Sequence, residues 1–276
     1  MIALDMLAAV LKALLYAAVL VAASEGLPSP SRHLRSRFLG RRGLSARRLK
    51  RILLGAAATA ASLCALVFAL RLGGFDPDTL TYLTGTAPVR GWGLILIGAL
   101  LGVTVTRGVW ARRLSTGLML VGLSWSGHLA AASPWGRLVV LTHLAAVSWW
   151  IASLLSLAYV LPRWRAPRLA RILADFSARA AVAVGLLVLA GGMAILLLAR
   201  GHPLAASYLI GLAIKLALVA AVLLLALHNK VRLTPALVDR GPARLQRALG
   251  IELVLMALIL VATAALTSFL SPHQGH

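Results

Sequence analysis

The chain has 276 residues, of which 61% are hydrophobic and 13% charged, at a mean hydropathy of +0.91, which is more apolar surface than a soluble core of this size can hide. Its net charge of +21 arises from 28 Lys and Arg against 7 Asp and Glu, but the cations are grouped between long apolar runs and form no continuous basic face, which excludes a nucleic-acid binder and leaves a membrane protein. The single cysteine, Cys64, permits neither an internal disulfide nor a thiolate cluster, so soft-metal chemistry falls to histidine or methionine.

A bilayer crossing takes about 20 apolar residues, and eight runs meet that requirement, at about 2–23, 51–71, 91–108, 114–132, 137–161, 176–199, 207–229 and 248–270. The expected fold is all-α, a polytopic membrane bundle of eight transmembrane helices with residues 1–136 as an N-terminal four-helix half and 137–276 as a C-terminal one. No basic start precedes the first run, so it reads as a helix and not as a cleaved signal peptide. Its following connection carries nine Lys and Arg between Arg32 and Arg51, and the 107–113, 162–171 and 230–247 connections carry three, four and five. The alternate connections hold Arg71, Arg90, Arg137 and Arg200, together with Asp76 and Asp78. Cytoplasmic loops retain Lys and Arg, so both termini are expected to be extracytoplasmic. The Ser24–Lys50 loop is expected to lie against anionic headgroups of the bilayer. Pro28, Pro30, Gly73–Gly74, Pro134, Pro162 and Pro203 all fall at run ends.

Two histidines stand out in the fourth and fifth runs. His128 and His143 flank the turn Ser133-Pro134-Trp135-Gly136; at 1.5 Å per residue they lie roughly 6 and 10 Å below it, close enough in depth to share a site. Neutral imidazole is a ligand for copper, zinc, iron or nickel, and the alternative is an interhelical hydrogen bond to Ser126, Thr142 or Ser148. Trp125, on the face of His128, and the deeper Trp150 are expected to wall this pocket, whereas Trp135 reads as an interfacial belt residue. Lys12, Lys215 and Glu252 are intramembrane charges, functional candidates by default with snorkelling or ion pairing as the alternative. Asp5 and Lys12 share a helix face and are expected to share a network. Asp175 reads as a helix N-cap, Met6 and Met193 as gap-filling residues, and His33 and His228 as interfacial residues.

There is no phosphate loop, HExxH pair, Cys-x-x-Cys or Gly-x-Ser-x-Gly motif, so nothing points to ATP or hydrolysis, and an enzyme is not expected. Paired histidines on neighbouring spans fit either a transition ion or a haem in an electron-transfer protein. A purely structural membrane protein is the third reading.

From about residue 138 the segments "THLAAVSWWIASLLSL", "DFSARAAVAVGLLVLAG", "YLIGLAIKLALVAAVLLLALHNKVRLTPAL" and "LQRALGIELVLMALILVATAAL" follow one another in an order that resembles the copper resistance D (CopD/PcoD) family of bacterial inner-membrane proteins. The resemblance carries over His143, Trp150, Lys215, Asn229 and Glu252, and "SGHLAAAS" extends it to His128. Where the family often has Gly-Gly after the Trp, this chain has Ala152-Ser153. The resemblance implies copper as the bound ion, movement of copper across the inner membrane, and a small periplasmic copper carrier as partner.

Overall fold

The computed structural model describes residues 2–23, 27, 43–105, 108–125, 129, 133–161, 166–199, 204–237 and 241–269. The described residues are mostly helical, with no strand among them. In chain order the helices are α1 (Ile2–Ala23), α2 (Gly43–Arg71), α3 (Pro77–Gly85), α4 (Ala87–Thr104), α5 (Val109–Ser124), α6 (Pro134–Val160), α7 (Ala166–Leu198), α8 (Ala206–His228) and α9 (Ala243–Ser268). Seven of them, all but α3 and α5, are long and apolar enough to cross a membrane. At 16 residues, α5 extends about 24 Å, short of a hydrocarbon layer of about 30 Å. It begins five residues before the expected fourth crossing, and its described residues end at Ser124.

The apolar runs locate the helices, but several starts lie earlier than the runs suggest. α2, α7 and α9 begin eight, ten and five residues upstream, in Arg-rich turns. Arg, Lys, Leu and Ala are good helix formers, and the extensions bury Leu169, Leu173 and Leu245. Asp175 consequently lies inside α7 and is not the N-cap expected from the sequence. The short α3 was not anticipated. It is nucleated by Asp76, whose carboxylate accepts from the Thr79 amide at 2.9 Å with Pro77 at the first helical position.

Hydrogen bonds from the Thr79 side chain and amide hold the Asp76 carboxyl below its usual range. A depressed folded-state value means the cap is intact at neutral pH and is lost as pH falls through that value. Asp76→Asn is expected to preserve α3 while removing this acid sensitivity; hydrogen exchange at the Thr79 amide between neutral and acid pH reads both effects, and an unchanged pH profile in the variant contradicts the assignment.

α1 is the hub of the bundle, packing on α2, α9, α5 and α6. Its buried face, Leu15, Val19, Leu20 and Ala23, is tied to its neighbours by hydroxyl-to-carbonyl bonds. The Thr116 hydroxyl donates to the Ala23 carbonyl at 2.8 Å and the Ser148 hydroxyl to the Leu20 carbonyl at 2.7 Å. Such bonds let polar side chains sit in apolar surroundings and add interhelical glue. Lys12 donates to the Thr267 carbonyl at 2.9 Å, and the Tyr16 hydroxyl lies 3.3 Å from the Thr267 hydroxyl, joining α1 to α9. Asp5 pairs instead with Arg71 at the far end of α2, so the expected Asp5–Lys12 network is not formed. Cys64 is free and buried among apolar side chains.

The tightest interface joins α4 to α5. Gly91 and Gly122 face each other so closely that a Cβ on either would collide with the other's carbonyl oxygen, and the Ser115 hydroxyl donates to the Gly98 carbonyl at 2.7 Å. Small residues allow this backbone approach, the usual basis of helix association in lipid. At the other extreme, α7 packs mainly on α6 and α8 mainly on α9. Their outer faces present exposed Val182, Leu189, Ile210 and Leu224, suited to contact with lipid. Met6 and Met193 are also exposed on outer faces, whereas the buried methionines are Met119 and Met256.

Candidate metal centre

α6 starts with Ser133 as N-cap, its hydroxyl accepting from the Gly136 amide at 2.9 Å, and Pro134 at the first position. That start puts His143 nearly three turns into the helix. The imidazole reaches the Leu187 backbone on α7 and lies in the electrostatic field of Lys215 on α8. Its Nδ1 is buried with no hydrogen-bond partner among the described residues. Of the hydroxyls named as alternative partners, Thr142 donates to the Leu138 carbonyl at 2.9 Å and Ser148 to the Leu20 carbonyl at 2.7 Å, while Ser126 lies outside the described residues. A buried nitrogen without a partner is costly unless something else occupies its lone pair.

His128, the expected second imidazole, lies outside the described residues, as do Ser126, His202 and the tail histidines His273 and His276. Among the described residues no group of three or more His, Cys, Asp or Glu side chains is assembled that could hold a metal ion. Trp150 shares the helical face of His143 two turns further on and is buried. Its neighbour Trp149 makes the contact with α7, stacked on Phe176 at 6.0 Å and 15°. Trp125 terminates α5, partly buried, with the Arg137 guanidinium 5.4 Å above its ring, a cation–π contact between the start of α6 and the end of α5. Lys215 is partly buried on α8. Lys215 thus lies within electrostatic reach of His143, and Trp125 is engaged with Arg137.

A second buried polar site lies at the far end of α8. α8 continues as one π-helical turn, Asn229–Leu233, closed by a Thr234 amide to Asn229 carbonyl bond of 2.8 Å. π-turns of this kind recur at functional positions because the wider turn re-aims a side chain. Here it turns Asn229 into the bundle, where its Nδ2 donates to Glu252 on α9. Both residues are buried, Glu252 at 2% exposure, and Asn229 Oδ1 has no partner among the described residues. Glu252 was expected either in a site or in an ion pair; its neighbour is a neutral amide. The sequence marked Asn229 only through family likeness, because hydropathy does not report a π-turn.

Long apolar helices enclosing a few unmatched polar groups define a multi-pass membrane protein. Residues 170–266 match the family model of copper resistance protein D, CopD. The matched stretch runs from the second turn of α7 to the end of α9 and contains Lys215, Asn229 and Glu252, while His143 and Trp150 precede it. Comparison with curated proteins and with solved structures finds no match.

Proposed function

We propose that this chain is a copper transport and copper-resistance protein of the bacterial inner membrane, receiving copper from a periplasmic carrier at an outer-facing site built on His143 and His128 and passing it across the bilayer. The observation that carries the reading is the buried Nδ1 of His143, which has no hydrogen-bond partner among the described residues, beside a segment that matches the CopD family model. Nδ1 of a neutral imidazole offers a lone pair suited to a copper ion, and the residue N-terminal to the turn at Ser133 that best supplies a second nitrogen is His128. In this reading α5 completes the fourth of eight crossings, both termini are extracytoplasmic, and the four basic connections are cytoplasmic. Trp150 closes the apolar side of the site and Trp125 its rim. Glu252 and Asn229 provide a polar step near the opposite face.

The nearby Lys215 ammonium opposes a second positive charge. Lys215→Met is therefore expected to tighten copper binding, by about 1–2 kcal/mol or roughly tenfold at an effective dielectric near 20, read by competition with a chromogenic chelator. Weaker binding in the variant would show Lys215 to be a contributor to the site and not its electrostatic opponent. Metal analysis and a visible spectrum of gently purified protein test the reading as a whole. Bound copper without a Soret band is the expected result; a Soret band assigns the histidines to haem.

A further inference from the structure

Beyond the intramembrane sites, a cavity of about 850 Å³ opens where α8 leaves the bundle and α9 enters it. Its described lining combines His228, Arg232 and Arg244 with apolar Val231, Leu233 and Leu245. No acidic side chain is among the described lining residues, and neither arginine has an acidic partner among the described residues. The adjoining 238–240 stretch lies outside them, and its sequence adds one Asp and one Arg, leaving the net charge unchanged.

We propose that this cavity binds a phosphate group, carried by an anionic phospholipid of the surrounding leaflet. Two guanidiniums are suited to this because each presents a planar fork of donors that matches phosphate oxygens. The apolar wall argues for a lipid as the carrier. Leu224, Leu227 and Val231 recur at helical spacing along α8 and its π-turn and are all exposed, so they form a stripe leading from the cavity along the span. A headgroup in the cavity places its acyl chain on that stripe. The volume falls within the usual range for small-molecule sites, and a basic recess between spanning helices at the membrane face is the setting in which acidic headgroups are held. The inference is independent of copper.

The test uses the full-length protein in neutral detergent, titrated with dioleoylphosphatidylglycerol, dioleoylphosphatidylcholine or inorganic phosphate and followed by native mass spectrometry and thermal shift. Wild type is expected to bind phosphatidylglycerol in preference to phosphatidylcholine. Arg232→Gln/Arg244→Gln is expected to weaken that binding roughly thirtyfold, taking about 1 kcal/mol for each arginine, while Arg232→Lys/Arg244→Lys retains most of it. Because both arginines are exposed, the variants are expected to keep the wild-type melting temperature without lipid. Inorganic phosphate that binds as well as phosphatidylglycerol would keep the phosphate site but assign it to a soluble anion. Equal binding of the two lipids overturns the proposal. So does an equal loss in Arg48→Gln/Arg51→Gln, which removes the same charge from exposed positions on α2.

Discussion

Gly122→Val is expected to destabilise the protein by about 3 kcal/mol or more, at the upper end of overpacking costs, because the new side chain meets backbone and not a movable side-chain end. The Gly91 carbonyl oxygen occupies the space that a Cβ at Gly122 needs, and the Ile95 side chain and amide close the remaining sides at 3.0 and 3.1 Å. Relief requires α4 and α5 to move apart, which stretches the Ser115 to Gly98 bond and loosens the contact of α5 with α1. Gly117, on the same helix, has nothing within 4 Å of a built Cβ. Gly117→Ala is therefore expected to be neutral or to gain up to about 1 kcal/mol of helix propensity. Thermal denaturation in detergent compares the two; equal stability of Gly122→Val and wild type would show that the α4–α5 contact is not close in the folded protein.

The second large effect concerns the Asn229–Glu252 pair. Asn229→Leu leaves the Glu252 carboxyl buried with no amide donor, and orphaning a buried hydrogen-bonding group costs about 1–3 kcal/mol, more when that group is charged. Glu252→Leu alone is expected to cost less, since it leaves a neutral amide behind. The double variant Asn229→Leu/Glu252→Leu is expected to recover much of the loss, because both polar groups then leave the apolar interior together. A double-mutant cycle on unfolding free energies isolates the coupling. Additive single effects would mean that the two side chains do not act on one another in the folded state.

The fold was legible in the sequence to the extent that hydropathy decides it. Apolar runs found the cores of eight of the nine helices among the described residues, and Pro and Gly marked the breaks between them. Boundaries were missed where a helix continues beyond the apolar part: the Arg-rich first turns of α2, α7 and α9 are strong helix formers that hydropathy scores as loops. α3 escaped because a nine-residue helix is too short to register as a crossing, although Asp76-Pro77 carried its start signal. The unusual polar positions were visible as residues but their partners were not. Whether His143 reaches the Leu187 backbone depends on the rotation of α6 against α7, and no spacing within one helix encodes that. Lys12 and Asp5 share a face of α1, yet α9 and α2 present closer partners. The basic cavity between α8 and α9 is formed by residues up to 17 apart in sequence and exists only once the π-turn has set their relative positions.

The most direct measurement of the central claim is bound copper per chain in purified wild type, His143→Ala, His128→Ala and the double variant, at matched folded fraction. Truncating His143 leaves a cavity of modest size beside Leu187, so the variant is expected to remain folded. Wild type is expected to hold a stoichiometric, high-affinity copper ion that is weakened at least tenfold by either single substitution and lost in the double variant. Unchanged copper content and affinity without both imidazoles would contradict it.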